Sequence, residues 1–226
     1  MKRAGKQRVE MASFRLARAM IRRDSQLATR TWPSLSPAVA ALAVGIATDQ
    51  LGNPFAGSSQ VTLTMAFPIL VATAVPLLYQ QMMFSRDHEA SWIFVGVPRA
   101  AVVRGVRRAL LRWYVLPPAV LGGAAMAWHW QAPWHAALLT ILLWLMAHGA
   151  GRLAEIYVLG RAPFSSPPRR GAATGRASAV SAAATAGAAG LAALSYAVGS
   201  PWGVSCLLAV LALVLLGLDR RSRTYG

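Results

Sequence analysis

Apolar residues in this chain fall into six long runs, separated by short segments in which polar residues and prolines concentrate. The runs are Ser34–Leu51, Val61–Phe84, Trp113–Trp130, Trp134–Leu153, Ala179–Val198 and Trp202–Leu218. Each is close to the ~20 residues that an α-helix needs to cross ~30 Å of hydrocarbon. Because backbone polar groups in lipid must be satisfied within the segment, every run should be helical. The pattern predicts an all-α integral membrane protein with six transmembrane helices.

The 23 Lys and Arg residues follow the same pattern. Apart from Arg152, they form four clusters: nine up to Arg30, six in 86–112, four in 161–176 and three after Leu218. The alternate connections carry none of them; these are residues 52–60, 131–133 and 199–201. Cytoplasmic loops of membrane proteins are enriched in Lys and Arg. Both termini are therefore predicted to lie on the cytoplasmic side (N-in, C-in) of a bacterial inner membrane.

This topology divides the chain into three parts. Residues 1–31 form a basic cytoplasmic tail, residues 32–218 the six-helix membrane domain, and residues 219–226 a second basic tail. Two inner loops belong to the membrane domain: 85–112 between predicted helices two and three, and 160–178 between helices four and five. A charged fraction of 13%, against about a quarter in soluble domains, agrees with this division.

The N-terminal tail contains an amphipathic segment, Val9–Ile21. At 100° per residue, arginines gather on one stripe and apolar side chains cover the opposite arc. The stripe consists of Arg8, Arg15, Arg18 and Arg22. A helix with one cationic and one apolar face lies well in the headgroup plane of an anionic leaflet. We therefore predict an interfacial helix that these arginines anchor to membrane lipids; packing on another domain is the alternative.

Candidate chemistry is sparse. His148, Arg152 and Glu155 are spaced i, i+4 and i+7, so they share one face of the fourth predicted helix. An intramembrane ionisable cluster is a candidate functional site, whereas snorkelling and a local ion pair are the structural explanation. Paired catalytic acids, a nucleophile–base pair and an acidic metal cluster are not recognisable in the sequence. We predict no catalytic residue, no metal site and no cofactor. The positive-inside rule accounts for the basic clusters, so no nucleic-acid partner is expected.

The inner loop between predicted helices two and three is more patterned than a plain linker requires. A polar start at Asp87–Ser91 leads to the apolar turn Trp92–Phe94, and Pro98 then restarts a helix. Three arginines lie on one side of that helix: Arg104, Arg108 and Arg112. The pattern is typical of a short helix that lies against a cytoplasmic partner, with its arginines touching lipid phosphates.

The order of an amphipathic helix, two spans, a patterned inner loop and four spans resembles the membrane subunit of ABC-2-type transporters. In that family the loop reads as charged residues, a Glu, an apolar stretch, a Pro and a helix with a small residue. The corresponding residues here are Arg86, Glu89, Trp92, Ile93, Phe94, Pro98 and Gly105.

The resemblance implies a permease subunit that is not itself an enzyme. It would move a substrate using ATP hydrolysed by a separate ATP-binding-cassette ATPase subunit, and would work as a homodimer or heterodimer of permeases. Glu89, Trp92, Phe94 and Pro98 would then form the partner-coupling loop. The alternative is a non-transporting accessory or scaffold subunit of a larger membrane complex, which the Ala/Gly-rich fifth predicted helix would suit equally well.

Overall fold

The computed structural model describes residues 2–56, 62–84, 97, 99–157, 175–198 and 200–224. Over these residues the chain is helical and contains no β-strand. Its helices are α1 (Lys2–Arg23), α2 (Ser25–Ala47), α3 (Thr62–Gln81), α4 (Arg99–Leu110), α5 (Leu116–Trp130), α6 (Pro133–Tyr157), α7 (Gly175–Val198) and α8 (Pro201–Thr224). A π-helical turn, Leu111–Val115, joins α4 to α5.

Within the part of the chain that the structure describes, four helical segments have the length and composition to cross a membrane. They are Leu63–Gln81, Ala100–Trp130, Pro133–Glu155 and Ser178–Val198. The apolar parts of α2 and α8 are shorter, at Thr31–Ala47 and Pro201–Gly217. The prediction of an all-helical chain of the multi-pass membrane type is therefore confirmed, whereas six spans and their orientation stay predictions.

The first apolar helix begins well before the apolar run that predicts it. It starts at Ser25, inside the predicted tail, and continues through Pro33 and Pro37. Proline has no N–H, so Pro37 cannot donate to the carbonyl of Pro33 four residues earlier. The Ser36 hydroxyl donates to that carbonyl at 2.9 Å. A local side chain thus satisfies the carbonyl that Pro37 leaves without its usual donor.

The inner loop also differs from its predicted form. Its C-terminal part, α4, continues through the π-turn into α5, so that Ala100–Trp130 is one helical segment of 31 residues. Within the turn the N–H of Leu116 donates to the carbonyl of Leu111, an i to i+5 bond. Pro117 and Pro118 follow directly and remove two donors from the α-helical pattern. At 1.5 Å per residue the segment is about 46 Å long, which exceeds the ~30 Å hydrocarbon core.

The bundle is built around α3. This helix packs against α2, α6 and α7, while α5 and α8 both pack on α6. Buried side chains of α3, among them Phe67, Val71 and Tyr79, form the centre of the core. The contact with α7 is partly polar, because the Ser181 hydroxyl donates to the carbonyl of Thr73 at 3.0 Å.

Helix α1 lies against α4, and a glycine permits the contact. Gly105 of α4 faces the α1 backbone. A Cβ added there would lie 2.6 Å from the Glu10 carbonyl oxygen and 2.8 Å from the Phe14 nitrogen. Backbone atoms in the middle of a helix cannot move aside cheaply, so the distance between the two helices depends on this glycine.

We expect Gly105→Ala to separate α1 from α4. Overpacking against fixed backbone should lower the free energy of unfolding by about 1–3 kcal/mol, although alanine is the better helix former. Thermal unfolding of the protein in detergent, together with the rate of tryptic cleavage in α1, measures the effect. Gly187→Ala on α7 is the control, since nothing lies within 4 Å of a Cβ there. Equal stability and equal cleavage in the two variants would contradict the packing role of Gly105.

Candidate functional site

Two carboxylates in the described structure are each held by two arginines. The first is Glu10 of α1. Its Oε2 accepts a hydrogen bond from Nε of Arg104 at 3.3 Å, and its Oε1 lies 2.8 Å from Nη1 of Arg108. Arg104 is buried, whereas the Arg108 side chain is 55% exposed. Both arginines belong to α4, so this cluster ties α1 to α4.

The second carboxylate is Glu155 of α6. Its Oε2 accepts hydrogen bonds from Nη1 of Arg107 at 3.2 Å and from Nη1 of Arg152 at 2.8 Å. The side chains of Arg107 and Glu155 are only 6% and 9% exposed. This cluster ties α4 to α6, and we call the two clusters together the ionic layer: Glu10, Arg104, Arg107, Arg108, Arg152 and Glu155.

The sequence of α4 explains why one helix reaches both acids. Arg104 and Arg108 are four residues apart and share a face, while Arg107 is turned about 60° away from Arg104. The remaining residues of the helix are mostly small or β-branched, and many are buried: Ala101, Val102, Val103, Val106 and Ala109. A guanidinium buried among such side chains is stable only when it is paired. The carboxylates of α1 and α6 therefore make the burial of α4 possible.

Tyr79 completes the surroundings of the second cluster. Its side chain is fully buried, and a Cβ added at Gly151 would lie 3.3 Å from its hydroxyl. Tyr79 of α3 thus lies against α6 one turn before Glu155. Within the described residues, the Tyr79 hydroxyl and Oε1 of Glu155 make no hydrogen bond. The cluster therefore retains one donor and one acceptor that this arrangement of the helices does not use.

The structure places the three residues of the predicted polar cluster on one face of α6. Arg152 and Glu155 form the i, i+3 ion pair at 2.8 Å, and half-buried His148 lies one turn earlier. Arg107, which sequence reasoning missed, joins them from α4. Its burial was indicated by the sequence, because Arg107 lies in a segment rich in apolar residues, among them Val106 and Ala109.

The role predicted for Arg104 needs correction. The loop arginines were expected to touch lipid phosphates, but Arg104 is buried and pairs with Glu10. Arg108 also pairs with Glu10, although its side chain is 55% exposed. The reason is that α1 covers this face of α4 and brings its own carboxylate. Arg112, the third arginine of that side, is exposed. The residues predicted to couple to a partner, Glu89, Trp92, Phe94 and Pro98, lie outside the described residues.

The predicted cationic stripe of α1 is exposed along its whole length; it comprises Arg8, Arg15, Arg18 and Arg22. The guanidinium of Arg18 lies over the Trp113 ring, 5.2 Å from its centroid. The opposite face of α1 packs on protein: Ala17 is buried, and Phe14 and Met20 pack against the core. The apolar face of α1 therefore agrees with the alternative interpretation, in which the helix packs on protein. The surface on which it packs is provided by α4.

The opposite end of the bundle is closed by polar contacts that involve side chains near the ends of the helices. Trp130 Nε1 donates to the carbonyl of Leu51 at 2.5 Å, and Asn53 Nδ2 lies 2.8 Å from Nδ1 of His135. Exposed Asp49 lies 3.3 Å from Nε2 of His129. No three His, Cys, Asp or Glu side chains in the described part of the chain are grouped so as to hold a metal ion.

Comparison of the chain with protein-family models, curated proteins and solved structures gives no match.

We expect Glu155→Gln to destabilise the protein by about 3 kcal/mol, because it leaves the buried Arg107 guanidinium without its counter-charge. Equilibrium unfolding in mixed micelles measures the free energy. Adding Arg107→Met to this variant should restore at least half of the loss, since the buried charge is then removed as well. Asp49→Asn is the control: its side chain is 89% exposed, and the change should stay within about 0.5 kcal/mol. A Glu155→Gln effect as small as the control would contradict the structural role of the ionic layer.

Proposed function

We propose that this chain is the membrane-spanning permease subunit of an ABC-2-like transporter in a bacterial inner membrane. Six helices would cross the bilayer with both termini inside, and a substrate would move along a path between protomers. The energy would come from ATP hydrolysed by a separate ATPase subunit on the cytoplasmic side. One observation supports the proposal: α4, the C-terminal part of the inner loop, is continuous with a membrane-type helix and is ion-paired to two other helices.

This connection suits the transmission of movement from a partner into the membrane. A displacement at Arg99 would pass along α4 into α5 through helical backbone, with the π-turn at Leu111–Val115 as the one irregular point in this segment. Because breaking the buried Arg107–Glu155 pair is costly, α6 would move together with α4. The Glu10–Arg104 pair couples α1 in the same way. Packed helices that keep their contacts shift as rigid bodies, which is how many membrane transporters change conformation.

One feature of α7 fits the second candidate, a non-transporting scaffold subunit, as well as the first. Up to Gly190 the exposed residues of α7 are small, among them Ala182, Ala183, Ala186, Gly187 and Gly190. Small residues let two membrane helices approach closely. The face suits a second permease protomer and a different membrane subunit equally well, so identification of the companion protein separates the two functions.

The proposed topology predicts a labelling pattern for single cysteines in a Cys206→Ser background. Ser58→Cys and Ser200→Cys should react with a membrane-impermeant maleimide in intact cells, because both lie in predicted outer connections. Ser165→Cys and Ser222→Cys should react only after the membrane is permeabilised. Labelling of Ser165→Cys in intact cells would overturn the six-span, N-in arrangement.

The proposed partner predicts a copurification result. Tagged protein extracted in mild detergent should retain a stoichiometric ATP-binding-cassette ATPase, identified by mass spectrometry. Glu89→Lys with Trp92→Ala should lower the retained ATPase by at least about tenfold, since removing a buried aromatic anchor and reversing a charge at an interface cost more than ~1.4 kcal/mol.

The matched control is Asp49→Lys with Trp134→Ala, which makes the same kinds of change at exposed positions on the predicted outer side. Both variants should insert normally, and only the loop variant should lose the ATPase. Companions without any ATPase would favour the scaffold function. Unchanged ATPase retention in the loop variant would refute the coupling role of Glu89 and Trp92.

A further inference from the structure

The ionic layer determines the direction of α4 relative to the bundle. Helices α5 and α6 pack on each other and are joined by the short turn at residues 131–132. Arg107 lies 23 residues before Trp130, and its partner Glu155 lies 22 residues after Pro133. At 1.5 Å per residue these separations are about 35 Å and about 33 Å. Because they match, α4 continues beside α6 in the direction of α5, and the ion pair lies about one hydrocarbon thickness away from the turn.

Helix α1 follows α4 in the same direction. Glu10 pairs with Arg104, and the guanidinium of Arg18 lies over the Trp113 ring. Arg18 comes eight residues after Glu10, an advance of about 12 Å along α1. Trp113 comes nine residues after Arg104, an advance of about 13 Å along α4 and the π-turn. The equal advance means that α1 is aligned with α4 and with the membrane-type helices, and does not lie across them.

The cationic stripe of α1 thus extends along the bundle and not along the membrane plane. Its first and last members, Arg8 and Arg22, are 14 residues apart, which is about 21 Å of helix. A bilayer has ~30 Å of hydrocarbon and is ~40–45 Å thick with its headgroups, so one headgroup layer is about 5–8 Å deep. A single leaflet can therefore contact only one part of the stripe. The part nearer the N-terminus is presented to whatever lies outside the bilayer.

Four exposed residues of α1 form one continuous face, which we call the α1 surface: Arg8, Met11, Arg15 and Arg18. At 100° per residue they lie within an arc of about 80°. No carboxylate among the described residues pairs with these arginines. Met11 is 47% exposed and lies between them. The surface therefore combines unneutralised positive charge with one apolar side chain.

This composition is typical of a surface that binds protein. Arginine and methionine are enriched in protein–protein interfaces, whereas lysine is depleted and is absent from the α1 surface. The planar guanidinium holds a carboxylate through two parallel N–H donors. A second copy of this chain, with a net charge of +16, would bring like charge to the surface. Charge complementarity thus requires a different and acidic partner.

We propose that the α1 surface docks an acidic face of a second protein outside the bilayer, on the predicted cytoplasmic side. Carboxylates of the partner pair with Arg8, Arg15 and Arg18, and an apolar side chain of the partner covers Met11. The opposite face of α1 stays packed on α4, so docking needs no unfolding of the bundle. The inference does not depend on whether the chain is a permease or a scaffold.

The first experiment tests the direction of α1. Gln7→Cys and Ala19→Cys, each in a Cys206→Ser background, place a fluorescent label at two levels of the helix about 18 Å apart. The labelled protein is reconstituted with lipids brominated near the headgroup end of the acyl chains. We expect at least threefold stronger quenching at position 19 than at position 7. Equal quenching at the two positions would mean that α1 lies in the membrane plane, and would overturn the proposal.

The second experiment tests the chemistry of the partner. Fluorescence anisotropy measures the affinity of the full-length protein, in phosphatidylcholine nanodiscs, for a labelled oligoglutamate peptide. Changing Arg8, Arg15 and Arg18 together to Gln should weaken binding at least about tenfold. These arginines are exposed, so the variant should keep the melting temperature of the unmodified protein.

The matched control removes three charges from the C-terminal basic tail, by changing Arg220, Arg221 and Arg223 to Gln. It should change the affinity less than about twofold. An equal loss in both triple variants would mean that net charge, and not the α1 surface, attracts acidic protein. Because both experiments use the isolated chain, failure to find an ATPase partner would leave their outcome unaffected.

Discussion

The fold depends on the pairing of buried arginines with carboxylates from other helices. Helix α4 carries Arg104 and Arg107 into an environment of valine, alanine and leucine, where an unpaired guanidinium would cost several kcal/mol. Neither arginine has an acidic residue near it in α4 itself. The partners are Glu10, which precedes Arg104 by 94 residues, and Glu155, which follows Arg107 by 48. The two ion pairs therefore couple the burial of α4 to the positions of α1 and α6.

Because of this pairing, the inner loop ends in an ordered part of the bundle. The close approach at Gly105 allows α1 to cover α4, and the carboxylate of Glu10 is then within reach of two arginines. On the other side, Glu155 is shared between a local arginine and one from α4. One Glu155 oxygen and the Tyr79 hydroxyl remain without hydrogen bonds among the described residues, although both are buried.

The sequence was sufficient for the parts of the structure that depend on local information. Long apolar runs give helices in lipid, and the spacing of Arg152 and Glu155 gives a local ion pair. The start of α2 was not predictable in this way, because Pro33 and Pro37 look like a helix start, whereas the helix continues through both. The part played by Arg107 was also missed. Helical periodicity shows which residues share a face, but it contains no information about which distant helix that face meets.

The packing of α1 also determines what this helix presents to its surroundings. If the apolar face of α1 lay in lipid, hydrocarbon contact would hold the helix at the headgroup level. Instead Ala17 and Phe14 pack within the protein, so the helix needs no lipid to bury its apolar side chains. The stripe of Arg8, Arg15, Arg18 and Arg22 is then available for anions. Arg18 is further oriented by the Trp113 ring, in the same turn region that places Tyr114 against Trp32. Attraction of anions to this stripe by charge is weakened by salt, so any contact that the stripe makes with an anionic surface should weaken as the ionic strength rises.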